Sequence, residues 1–114
     1  RSLHANNPVE VYPGDHDWIY IDDFIDAIYY VVSNDLHGEF DVCTGFATRN
    51  IDLVRELSII IGSNSEIIER TTKYREYDRE GWFGDISRLP VGWKYKYTLK
   101  EGLKECVQSY RLGL

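Results

Sequence analysis

Leu53, Val54, Leu57, Ile60 and Ile61 recur at the three- and four-residue spacing that puts them on one face of an α-helix, and Gly62 follows at once as a stop. A chain carrying such a stripe must bury it against something. Two more stripes have the same period: Phe24, Ile25, Ile28, Val31 and Val32, with Asp26 off the stripe, and Leu99, Leu103, Cys106, Val107 and Tyr110. Three principal helices are therefore predicted. Asp22 and Asp23 supply an N-cap and first-turn negative charge for the first, which should run to about Ser33, and Asn50 caps the second. The third opens on Thr98-Leu99-Lys100-Glu101, a capping box in which hydroxyl and carboxylate satisfy each other's backbone donors.

Between the helices lie short β-prone runs. Residues 8 to 13 alternate between two prolines and read as a short edge strand, followed by turn chemistry at Pro13-Gly14-Asp15. Trp18 to Ile21 is a second β-prone run. Asn34 to Gly38 reads as a turn into a strand from Glu39 to Thr44, closed by Gly45 and a short loop to Arg49. Ile67 to Thr72 reads as another strand, and Lys73 to Gly84 is charged and aromatic without period, the form that functional loops take. The pattern is α/β, with no internal repeat, low-complexity tract or linker, and 114 residues suit a single domain over 1–114.

Charge and hydropathy narrow the function. Thirteen Lys and Arg against 19 Asp and Glu leave a formal charge of −6, which repels phosphate backbones, so nucleic acid is not expected as a partner. No apolar run reaches the roughly 18–20 residues of a membrane span, and the N-terminus lacks the regions of a signal peptide. A membrane is thus not expected either, and a cytoplasmic location is. Cys43 and Cys106 each sit within an apolar pattern and read as reduced core thiols. His4, His16 and His37 show no ligand spacing with them, so no metal is expected. The chain has no methionine and opens on Arg1, which leads us to expect a piece of a longer product.

Four stretches, in order, carry a resemblance. Asp17-Trp18-Ile19-Tyr20-Ile21-Asp22-Asp23 is similar to an Arg-Asp-Trp/Phe-Ile-Tyr-Val-Asp-Asp motif. Phe40-Asp41-Val42-Cys43-Thr44-Gly45 is similar to Tyr/Phe-Asn-Val-Gly-Thr-Gly, with Asn50 to Val54 opening the next helix. Arg75 followed by Asp85-Ile86-Ser87 is similar to Arg-Pro-Gly-Asp leading to Ala-Asp-Ile-Ser-Lys, and Gly92 to Leu103 is similar to a Gly-Trp-Lys-Pro-Lys-Tyr-Ser-Leu-Glu-Glu-Gly-Leu tail. All four belong to the NAD-dependent epimerase/dehydratase family of extended short-chain dehydrogenases, with nucleotide-sugar dehydratases and epimerases the nearest in flavour. The chain resembles the C-terminal, substrate-binding part of that Rossmann-type fold.

The resemblance implies NAD or NADP in the parent, bound mainly by a Gly-rich turn in a half that this chain does not contain, and no cofactor for this chain alone. Gly81 and Gly84 do not replace that turn, and none of the nine tyrosines has the Lys four residues on that the family's catalytic pair requires. No catalytic residue is therefore assigned.

What remains is the substrate side. A nucleotide sugar brings a diphosphate, which a guanidinium matches bidentately, and Arg75 is the first candidate; the plainer alternative is a solvated arginine paired with Glu76 or Asp78. The family's other phosphate-contacting arginine falls where this chain has His16, which is either a substitute contact or an ordinary turn residue. Asp41 replaces an Asn beside the nucleotide, exchanging an amide for an acceptor-only group, and Thr44 lies in the same stretch. Trp82, with Phe83, Tyr74 and Tyr77, either stacks on a base or sugar or serves core packing or a domain contact. Asp22 and Asp23 are read as helix capping, and Trp18 and Trp93 as structural anchors.

The expected function is the nucleotide-sugar-binding portion of an NAD-dependent sugar epimerase or dehydratase. The alternatives are a stand-alone nucleotide or sugar binding module and a structural or oligomerisation fragment. Its partners are expected to be the nucleotide-sugar substrate and either the missing Rossmann half or a second copy, since an unpaired strand at 39–44 would leave an open edge.

Overall fold

Residues 1–72 and 83–113 are described by the structure, a computed structural model. Among them the three stripes do form three helices: α1 (Ile21–Ser33), α2 (Asn50–Ile61) and α3 (Leu99–Arg111). The ends follow local chemistry where the sequence has it. Gly62 takes φ +73°, a left-handed conformation that glycine adopts without strain, and its N–H returns to Ser58 and Ile59. Thr98 and Glu101 make the reciprocal capping box, at 3.2 Å each way.

Two predicted caps are different. Tyr20, not Asp22, stands at the cap of α1, and Arg49, not Asn50, at that of α2; neither makes a side-chain cap bond. Asn50 instead ties the helix start sideways, its Nδ2 donating to the Tyr12 carbonyl at 3.1 Å and its N–H to Gly14. Arg49 pairs with Asp52 in the first turn at 2.8 Å.

The strands are few and short. β1 (Val9–Val11) pairs in parallel with β4 (Ile67–Glu69), with Val9 opposite Ile67, and Arg70 and Glu10 add an ion pair alongside. β2 (Asp15–His16) pairs antiparallel with β3 (Thr48–Arg49), so the end of the predicted 45–49 loop is a two-residue strand. Trp18 to Ile21 and Glu39 to Thr44, both read as β-prone, form no strand. The physical reason at 39–44 is that its donors go elsewhere: Asp41 N–H to the Arg88 carbonyl, and Thr44 N–H to the Asp17 carboxylate. Also not predicted is a single 3-10 turn at Ile86–Arg88, started by Asp85 accepting from the Ser87 N–H and hydroxyl at 2.9 and 2.6 Å.

α2 packs on α3, and Leu3, Val11, Ile51 and Val107 are buried in the described chain. α1 is arranged the other way round. Its buried residues are Asp23 and Ala27, while Ile25, at 56%, and Val32, at 74%, are exposed together with Phe24 and Ile28. The predicted core stripe of α1 thus points outward. Its inward side is a polar row that holds residues 91–97: Tyr30 donates to the Val91 carbonyl at 2.7 Å, Asp26 accepts from Trp93 Nε1 at 2.9 Å, and Asp23 accepts from the N–H groups of Lys96 and Tyr97. Positions 23, 26, 27 and 30 share one helical face, so an extended segment can be read off it residue by residue. Trp93 is the buried anchor expected; Trp18 is exposed and Cys106 is not a core thiol, leaving Cys43 alone buried.

The described residues make a slab. The radius of gyration is 16.2 Å and the shortest extent 17 Å, against about 13 Å of gyration for a compact domain of this length.

Candidate functional site

Asp17 follows β2 directly, so the β2–β3 pairing fixes where its side chain starts. Its carboxylate accepts from the Thr44 N–H at 3.1 Å, the Thr44 hydroxyl at 2.5 Å, the Gly45 N–H at 2.9 Å and the Gly84 N–H at 3.1 Å. Backbone N–H groups converging on a carboxylate are charge-assisted donors and hold more firmly than neutral pairs. The result draws the segment at 40–45 and the segment at 83–85 onto β2.

Where they meet is a polar cavity of 390 Å³, whose lining includes His16, Asp17, Phe40, Asp41, Cys43 and Gly84. The His16 ring is held edge-on against Trp18, centroids 5.5 Å apart. Asp41 faces the Arg88 guanidinium at 3.6 Å, and Glu39 lies 3.7 Å from the same group. Burial pushes the Cys43 thiol upward from its ordinary value, and the nearby Asp17 and Asp41 carboxylates push the same way. Cys43 is therefore held as the thiol and is not an activated nucleophile.

Of the residues singled out from sequence, His16 and Asp41 line this cavity together. Thr44 is not among the residues lining the cavity; its hydroxyl donates to Asp17 and accepts from the Phe46 N–H. Arg75 and Trp82 lie outside the described residues. Sequence reasoning assigned no role to Asp17, Gly84 or Arg88. Asp17 is the first residue of the first family-like stretch, yet its partners lie 27 to 67 positions away, which no local pattern reports.

Does any described segment suit a dinucleotide? A pyrophosphate cradle needs a strand passing through a Gly-rich turn into a helix. The strand-to-helix junction here is β3 into α2, where Arg49 and Asn50 stand and Arg49 is committed to Asp52. That junction is not a pyrophosphate cradle of this kind. Among the described residues, no group of three or more His, Cys, Asp or Glu could hold a metal ion, and no helix is long and apolar enough to cross a membrane.

No family model matches the chain. Against curated proteins, it is 30% identical over 119 residues to dTDP-glucose 4,6-dehydratase of Salmonella typhimurium, an alignment covering 90% of this chain and 32% of that protein. The chain thus spans about a third of the length of the curated relatives it matches. Among solved structures, it matches RMD from Pseudomonas aeruginosa, complexed with NADPH, with a TM-score of 0.74 and 26% identity over 96% of this chain and 37% of that one. It matches the fold of the enzyme WbmH of Bordetella bronchiseptica, in complex with NAD+, with a TM-score of 0.77 and 20% identity over 96% of this chain and 37% of that one. Sequence and fold agree: over about a third of that protein's length this chain is homologous to dTDP-glucose 4,6-dehydratase, and it matches the C-terminal part of the extended short-chain dehydrogenase fold of the NAD(P)-dependent epimerase/dehydratase family.

Proposed function

We propose that the chain is the nucleotide-sugar-binding portion of an NAD-dependent sugar epimerase or dehydratase and performs no catalysis by itself. The observation that carries this reading is the cavity of His16 and Asp41, built where two of the four family-like stretches are joined by Asp17. Asp41 is an acceptor-only group, which suits the hydroxyls of a ribose or hexose and repels phosphate. The diphosphate is assigned to Arg75, as the resemblance implies, with His16 as the substitute for the family's other phosphate contact. The relative's own name, a dTDP-glucose dehydratase, supports this class of ligand. NAD or NADP belongs to the remainder of the parent fold, and a proton and hydride relay would be completed there.

The test is direct titration with dTDP-glucose by calorimetry. Arg75→Ala should weaken binding by about tenfold to a hundredfold, the loss of one bidentate charged contact. Equal affinity in the variant, or no binding by the parent chain, sinks the reading.

A specific observation favours a partner as well. Ile21, Phe24, Ile25, Ile28 and Val32 of α1 form an exposed apolar row on a thin slab, and rows of this kind mark interaction surfaces. The partner is the remainder of the parent fold or, without it, a second copy of this chain.

A further inference from the structure

Asp17 bonds to two segments 40 positions apart, at Thr44 and at Gly84. Those segments are walls of the cavity that His16 and Asp41 line. How closely the walls approach is shown by Gly84: a Cβ placed there would lie 2.3 Å from Cys43 Cβ and 2.6 Å from its Sγ. Glycine therefore permits the approach, and one carboxylate supplies the attraction. The group is matched to the task, since every donor it meets is an N–H or O–H and an ionised carboxylate is acceptor-only. An amide in its place would turn an NH2 toward at least one of these N–H groups.

We infer that Asp17 is the positioning residue of this cavity, setting the distance between its walls and through it the affinity for a nucleoside diphosphate sugar; this rests on the function proposed above. Asp17 acts through Thr44, Gly45 and Gly84, and its own oxygens are taken by them. A merely structural role would alter stability without altering the shape that the folded protein presents.

The experiment uses the chain carrying Cys106→Ser, so that Cys43 in the cavity wall is the one thiol. Its reaction with a maleimide is timed below the unfolding range in Asp17→Asn and in Asp23→Asn. Asp23 is the reference because it also accepts two backbone N–H groups but is not among the residues lining the cavity. Loss of converging charge-assisted bonds should speed Cys43 labelling about tenfold in Asp17→Asn and leave it within about twofold in Asp23→Asn at the same distance from the melting point. Affinity for dTDP-glucose should fall about tenfold in the first and hold in the second.

Unchanged labelling in Asp17→Asn overturns the inference, as does equal acceleration in both variants, or faster labelling with dTDP-glucose affinity intact. If the parent chain does not bind dTDP-glucose, the function reading fails, and the labelling rates still decide whether Asp17 sets the wall distance. Should Asp17→Asn not fold, Thr44→Val removes the hydroxyl bond to Asp17, along with the one accepted from the exposed Phe46 N–H, keeps the backbone N–H bonds to the carboxylate, and should accelerate labelling by a smaller factor; no acceleration there overturns the inference.

Discussion

The carboxylate of Asp23 accepts the backbone N–H of Tyr97 at 2.9 Å while its other oxygen takes that of Lys96 at 3.0 Å, all within a side chain only 1% exposed. Asp23 lies in the first turn of α1, as the expected first-turn charge, and is also the buried peg on which the segment leading into α3 hangs. Asp23→Ala leaves two part-buried N–H groups without this partner. We expect a loss of about 2–4 kcal/mol, since each unsatisfied buried donor costs about 1–3 kcal/mol. Urea denaturation checks it, and a change under about 0.5 kcal/mol, the range of an ordinary surface substitution, would place those N–H groups in water.

Three residues along α1, the Asp26 carboxyl is held below its ordinary value of 3.8, first by the Trp93 Nε1–H bond and then by the Lys96 ammonium. A carboxyl whose folded value is lowered stabilises the fold above its ordinary value, and that contribution is lost as pH falls through the lower folded value. Acid titration followed by tryptophan fluorescence should show a change below pH 3.8. Asp26→Asn, which keeps an acceptor for Trp93 but no titrating group, should remove that component; an unaltered acid profile would show that Asp26 is not its source.

Gly84→Ala places a methyl group 2.3 Å from Cys43 Cβ, a contact no pair of carbons sustains. One of the two segments must move. Overpacking of this kind costs about 1–3 kcal/mol, and the loss should be accompanied by faster Cys43 labelling. Calorimetric melting and thiol kinetics together test it, and an unchanged melting point with unchanged labelling refutes the close approach.

At the other end of the chain the capping box makes a smaller prediction. Thr98→Ala removes the hydroxyl that accepts the Glu101 N–H, for a loss of about 1 kcal/mol. Thr98→Ser should retain most of it. Equal melting points for the three proteins would show that α3 takes its stability from packing on α2 alone.

The outward row on α1 predicts association. Ile25 and Ile28 are exposed on that row, and Ile25→Lys with Ile28→Lys should reduce self-association in light scattering, or capture of the remainder of the parent fold, without lowering the melting point. A monomeric parent chain that also fails to bind the remainder of the fold would leave the row without its partner.

The sequence by itself determined the parts whose cause lies within a few residues. The three helices follow from apolar spacing, the Gly62 stop from the left-handed conformation glycine tolerates, and the α3 start from the Thr98–Glu101 box. The four ordered stretches likewise pointed to the dehydratases and reductases that the chain is similar to, whereas the meeting of His16 and Asp41 in one cavity comes from the fold. The tertiary structure alone decided which way each surface faces and where distant donors go. The stripe of α1 looks like a core face by its period, but periodicity reports amphipathicity and not which side the chain covers; here Asp23, Asp26 and Tyr30 claim the inward side through bonds spanning 61 to 74 positions. Segment 39–44 has the composition of a strand, yet a strand needs a neighbour, and Asp17 and Arg88 take its donors first. Asp17 itself shows the limit most plainly: one carboxylate, whose partners no local pattern reports, is a clamp only because the fold brings Thr44, Gly45 and Gly84 within 3.1 Å of it.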